Sequence, residues 1–166
     1  KDTPYNVIFN TLLKLRGLPV DFISVTYGAG GSKAQRDKTV EIASLILSTY
    51  HTEPVAHLTC VNSDRDEVLA TLEQLKANKI ENIMVLRGDI SPDVPPKDDF
   101  KHASDLAAFI KKYDASFNLI GACYPEVHYQ CESMEKDIEN LKQEIVRRKE
   151  INTRYPPQKY NHRRCR

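Results

Sequence analysis

Between residues 82 and 87 the chain reads Asn-Ile-Met-Val-Leu-Arg, a short apolar run that stops at Arg87-Gly88-Asp89. Such a run predicts a strand covered on both faces, as in a parallel sheet. Segments 21–27, 55–61 and 117–123 have the same β-rich character. Between them the apolar spacing changes to that of a helix. Over 5–17 it falls on Val7, Ile8, Leu12, Leu13 and Leu15, with Gly17 and Pro19 as the stop. Ser32 with Gln35 fits a capping box opening a helix towards Tyr50, with Val40, Ile42, Leu45, Ile46 and Leu47 apolar. Ser63 or Asp64 caps the next, whose Val68, Leu69, Leu72 and Leu75 share a stripe. Leu106, Phe109, Ile110 and Tyr113 mark a fourth helix; Met134, Ile138, Leu141 and Ile145 mark a fifth over 132–146.

The order is one helix followed by four βα units, with strand starts near 21, 55, 82 and 117. This alternation predicts parallel strands joined by crossover helices. An open doubly wound sheet and part of a (β/α)8 barrel both accept it. A whole barrel takes about 250 residues, so this chain could supply about half of one. Residues 1–146 carry the periodic pattern and form the expected domain. Beyond Val146 the pattern is lost.

Composition changes this picture only at the tail. With 166 residues, 40% hydrophobic and 28% charged, the chain can bury a core as one soluble domain. No apolar run approaches the ~20 residues of a membrane span. The start, Lys1-Asp2-Thr3-Pro4, lacks a secretory core and an initiator Met, which suggests a fragment or a processed chain. Cys60, Cys123, Cys131 and Cys165 form no C-x-x-C pair and no zinc spacing. His57 and Cys60, three apart on a strand, point to opposite faces, so no metal site is expected; the thiols read as reduced ones in a cytoplasmic protein. The net charge of +1 hides an asymmetry: residues 147–166 carry +7 and the body −6. That tail, with Pro156 and Pro157 and few aliphatic residues, is expected to be disordered. Tyr155 and Tyr160 could stack on a nucleic acid, but basic tails more often solvate a chain end, so nucleic-acid binding is the lesser alternative.

Polar residues gather where the strands end. Thr26-Tyr27 precedes a glycine-rich turn, His57 and Thr59 lie on one strand face, Arg87-Gly88-Asp89 closes the third strand, and Tyr124-Pro-Glu-Val-His128 closes the fourth. In α/β folds ligands bind beyond the carboxyl ends of the strands. Gly28-Ala-Gly30-Gly31 fits neither the dinucleotide fingerprint nor the P-loop. No Ser-His-Asp set is evident from spacing. Taken singly, His57 and Thr59 also fit as satisfied core polar groups, and Arg87 and Asp89 as a solvated turn.

Ser24-Val-Thr-Tyr-Gly28, His57-Leu-Thr-Cys60, Leu86-Arg-Gly-Asp89, Ala103-Ser-Asp105 and Tyr124-Pro-Glu-Val-His128 occur in the order and at the intervals of another group of proteins. Over residues 1–143 the chain resembles the methylenetetrahydrofolate reductase family. The resemblance implies strands two to five of a (β/α)8 barrel carrying FAD. It implies reduction of 5,10-methylenetetrahydrofolate to 5-methyltetrahydrofolate by NADH or NADPH in a cytoplasmic homo-oligomer, with no membrane partner. It assigns Thr26, His57, Leu86, Arg87, Gly88 and Asp89 to the flavin. Ala103, Tyr124, His128, Asp137 and Asn140 extend that site, with His102 where the family often has Tyr. Arg87 would pair with flavin phosphate or ring oxygens, and Gly88 would let the backbone approach the ring. Asp89, as the catalytic residue, would tune the flavin and help to hold the pterin.

Two parts of the family pattern fall outside the match. The strand bearing the family's proton-donating glutamate would precede Lys1, and no Glu here replaces it by position. Glu144 stands where the family has a lysine, and the sixth strand is replaced by the basic tail. The expectation is an incomplete reductase; the alternative is a half barrel that binds flavin or a partner without turnover.

Overall fold

The computed structural model describes residues 5–26, 33–89, 97–122, 127 and 131–143. The elements run α1 (Tyr5–Leu15), β1 (Phe22–Val25), α2 (Lys33–Tyr50), β2 (Glu53–Thr59), α3 (Arg65–Ala77), β3 (Asn82–Leu86), α4 (Ala103–Tyr113) and β4 (Asn118–Gly121). A further helix, α5, spans 134–143. All four strands are parallel, in the order β1-β2-β3-β4. A doubly wound sheet reverses direction at a switch point. Four strands stepping one way contain no reversal, and right-handed crossovers then put every helix on one side. This is the winding of a (β/α)8 barrel, of which four strands are seen.

One face of the sheet forms the core. Ala56, Leu58, Ile83 and Val85 alternate onto it and meet Val40, Ala43 and Ile46 of α2, Val68, Leu72 and Leu75 of α3, and Leu106, Ala107 and Ile110 of α4. Each helix contributes positions three or four apart, as a buried stripe requires. The other face is different. Met84 and Leu86, expected to be covered, are half-buried, so β3 alternates between buried and partly open. A closed barrel turns that face inward.

The outer helices depart from the expected stripes. In α1 only Leu12 is buried and Ile8 packs beside it, while Val7 and Leu13 stay exposed. Tyr5 fixes α1 to α2 instead: its hydroxyl donates to Glu41, and Lys38 lies 5.3 Å over its ring. In α5 Met134 and Ile138 are exposed. Helical spacing finds an apolar face without saying whether a surface covers it. Ser32, one half of the expected Ser32–Gln35 cap, and the basic tail lie outside the described residues. No helix among the described residues is long and apolar enough to cross a membrane.

At the amino ends of the strands, Lys76 donates to Asp114 at 2.6 Å and the Ser116 amide to its other oxygen at 2.9 Å. Lys76 first, then Ser116, hold the Asp114 pKa down to about 2. A carboxyl depressed by folding stabilises above its ordinary pKa of about 4, and the contribution disappears as pH falls through the folded value. The urea midpoint is therefore expected to drop between pH 5 and pH 2. Asp114→Asn should flatten part of that slope, as read by urea titrations at several pH values.

Candidate functional site

Because the strands are parallel, their carboxyl ends meet at one rim. Thr26 follows β1 directly, residues 60–63 follow β2, and Arg87-Gly88-Asp89 follows β3. The register sets His57 beside Met84 and Thr59 beside Leu86, all on the open face. Ser24 pairs with Val55, two residues before His57, and so shares that face. Its Oγ lies 2.6 Å from His57 Nε2. Burial lowers the His57 pKa, so the ring is neutral at pH 7.

The turn at 87–89 is anchored through its backbone. The Arg87 carbonyl accepts from the amides of Val61 at 2.9 Å and Cys60 at 3.2 Å. Gly88 has φ +84°, and a Cβ there would sit 2.9 Å from Thr59 Cβ. The missing side chain is thus required by the neighbouring strand itself. Asn62 Nδ2 donates to the Asp89 carbonyl at 3.5 Å, and Asn62 Oδ1 is buried without a partner. The Asp89 residue is exposed and Arg87 half-buried.

The amino end of α4 joins this rim. Asp105 accepts from the amides of His102 and Lys101 at 3.0 and 3.1 Å, satisfying donors that a helix start leaves open. The Cys60 thiol is pushed up to about 11, chiefly by burial, then by Asp105, with Arg87 opposing. Cys60, Arg87 and Asp105 are therefore within electrostatic reach of one another. His102 is exposed beside them, and Ala103 packs against the core.

An ion network behind the rim holds the loops in place. Arg36, 4% exposed on α2, lies 2.8 Å from Glu67 Oε1 and donates to Ser63 Oγ at 3.2 Å. Lys97 reaches both Asp64 and Glu67 at 2.8 Å, and its amide donates to the Val61 carbonyl at 2.9 Å. Asp64 and Glu67 form a reciprocal capping box at the start of α3. Lys97 lowers the Asp64 pKa; at Glu67 burial pulls upward, but Lys97 and Arg36 outweigh it and the net shift is down.

Eight expected site residues thus gather at one rim: Thr26, His57, Leu86, Arg87, Gly88, Asp89, His102 and Ala103. Asp137 and Asn140 lie on α5, where the Asn140 amide reaches Cys131 Sγ at 3.9 Å, within its own segment. Tyr124 and His128 lie outside the described residues. Sequence reading missed Asn62, Arg36, Glu67 and Lys97. The Asp64-x-x-Glu67 spacing signalled the cap, but nothing in the polar face of α2 singles out Arg36.

The profile of the family described as Methylenetetrahydrofolate reductase matches residues 2–147. The 5,10-methylenetetrahydrofolate reductase of Salmonella typhimurium is 34% identical over 138 residues, covering 83% of this chain and 45% of that protein. That of Escherichia coli K12 is 35% identical over the same shares. The Methylenetetrahydrofolate reductase (NADH) 1 of Arabidopsis thaliana is 33% identical over 152 residues, 83% of this chain and 25% of that protein. The chain spans less than half the length of these relatives. Its one-way parallel winding, its rim motifs and a match across nearly all of the described residues place it in one group: the chain belongs to the methylenetetrahydrofolate reductase family.

Proposed function

We propose that the chain carries part of the FAD site of an enzyme reducing 5,10-methylenetetrahydrofolate to 5-methyltetrahydrofolate with NADH or NADPH. The supporting observation is that Thr26, His57, Arg87 and Asp89 fall at or near the carboxyl ends of neighbouring parallel strands. Hydroxyl, imidazole and guanidinium can all donate, and a flavin dinucleotide offers phosphate and ring oxygens as acceptors. The group fits this donor set. When bound, FAD supplies the two-electron relay between nicotinamide and folate.

The protein's own contributions follow from chemistry. Arg87 clamps an acceptor edge with its fork of N–H groups. Asp89 opposes the build-up of negative charge nearby, which lowers the reduction potential, and its carboxylate can hold the donor groups of a pterin. The anchored backbone at 87–89 fixes the points from which both side chains leave the main chain. Tyr124, His128, Asp137 and Asn140 complete the proposed site. The NADH in the name of the Arabidopsis relative makes NADH the donor to test first.

The test is expression from the complete reading frame, followed by absorbance spectra and an NAD(P)H oxidation assay with menadione or methylenetetrahydrofolate as acceptor. A flavin band and turnover with both acceptors are expected, and Asp89→Asn should change folate turnover and flavin potential. A protein that neither retains nor takes up flavin would overturn the reading. The 166 residues alone are expected to show little turnover, because none of their glutamates matches the family's proton donor by position.

A further inference from the structure

The open face of the sheet is lined with polar groups that a purely packed interior would avoid. At its amino end these groups satisfy one another: Asn118 Nδ2 donates to Asn82 Oδ1 at 3.1 Å, and Asn82 Nδ2 to Glu53 Oε2 at 3.2 Å. Nearer the rim, among the described residues, one side-chain hydrogen bond is added to the backbone ladder between β1 and β2, Ser24 Oγ to His57 Nε2. Among the described residues Ser24 is the one hydrogen-bond partner of the His57 ring. Met84 is its register neighbour on β3, and burial, not a charged group, accounts for the lowered pKa.

A neutral imidazole carries one N–H, so the direction of this bond fixes what the other nitrogen offers. If Ser24 donates, Nδ1 keeps the proton and is a donor. If Ser24 accepts, Nδ1 is a bare lone pair. The groups a flavin dinucleotide turns to a protein at its phosphates and ring carbonyls are acceptors, which a lone pair would repel. We propose that Ser24 is a positioning residue whose hydroxyl donates to Nε2, holds His57 in the Nδ1–H tautomer and so makes it a donor to the flavin. The ligand in this statement rests on the flavin reading above; the tautomer is a property of the chain without ligand.

The test is histidine 15N NMR of the labelled chain, with His57→Gln identifying the His57 signals among the five histidines. The expected spectrum has a protonated Nδ1 and a bare Nε2. Ser24 is exposed, so Ser24→Ala should fold, which circular dichroism checks. In that variant the tautomer should shift towards Nε2–H. The His57 pKa should rise, because a bond favouring the neutral ring has been lost. Ser24→Thr should restore both. A protonated Nε2 in the unchanged protein, or a fall in pKa on removing Ser24, would overturn the proposal.

FAD titration by fluorescence quenching separates the two readings. Affinity is expected to weaken about three- to tenfold in Ser24→Ala, the effect of one lost hydrogen bond, and to recover in Ser24→Thr. Equal affinity in all three would overturn the role towards flavin. If no FAD binds to any of them while the tautomer behaves as stated, the flavin reading fails and the Ser24–His57 assignment stands.

Discussion

Glu67→Ala is expected to lower the unfolding free energy by about 3 kcal/mol, the scale for removing one partner of a buried ion pair. The guanidinium of Arg36 has a side chain only 5% exposed and lies 2.8 Å from Glu67 Oε1. Without that carboxylate the buried guanidinium loses its ion pair and keeps only neutral compensation such as the bond to Ser63 Oγ. The same substitution removes half of the capping box at the start of α3 and one of the two carboxylates on Lys97. Lys97→Met is the comparison. Lys97 is 37% exposed, so water screens its pairs, and about 1 kcal/mol or less is expected. Urea unfolding of the two variants should therefore differ by a factor of about three in ΔΔG. Equal losses would mean that Arg36 has adequate solvation without Glu67.

Gly88→Ala is expected to cost a similar amount, about 3 kcal/mol, for a different reason. Part is the left-handed backbone, at φ +84°, which costs an L-residue roughly 1–2 kcal/mol. The rest is contact: the added Cβ would sit 2.9 Å from Thr59 Cβ and 3.3 Å from Val61 Cγ1. Thr59 Cβ is one bond from the backbone of β2 and cannot swing away, so strands must separate at the rim, as in an overpacked core. Gly17 separates the two contributions. Its φ is +88° but nothing lies within 4 Å of a Cβ there. Gly17→Ala should therefore cost only the backbone share, about 1–2 kcal/mol, and Gly88→Ala measurably more. In the flavin reading, Gly88→Ala should also weaken FAD binding, because Arg87 and Asp89 hang from the displaced turn.

The elements of this fold are legible because each apolar run has one period. The Ile83–Leu86 run stops where β3 stops, and the stripe of Val68, Leu72 and Leu75 is the stripe that α3 buries. Period does not report coverage. Leu13, Met134 and Ile138 have the spacing of packed residues and remain exposed, because no described surface faces them. The open face of β3 escaped notice likewise: a run of four apolar residues looks the same whether one face or two is covered. The strand order, which sequence spacing could not provide, decides between an open sheet and a barrel.

The candidate site was visible as motifs at strand ends, but its supports were not. Arg87 and Asp89 are charged residues at a turn, and residue type alone marks them. Asn62 and Arg36 matter through burial and through partners 27 and 31 residues distant, which no local pattern encodes. Gly88 was readable as a special position, yet the reason lies in Thr59 on the adjacent strand. Ser24 lay inside a recognised motif, and only the parallel register shows that it faces His57.

The most direct measurement is a map of amide chemical-shift changes on adding FAD to the 15N-labelled chain. If the carboxyl-end rim binds the flavin, shifts should concentrate at Thr26, His57 to Cys60, Leu86 to Asp89, and His102 with Ala103. An unchanged spectrum, or changes confined to the opposite rim at Asn82 and Asn118, would contradict that account.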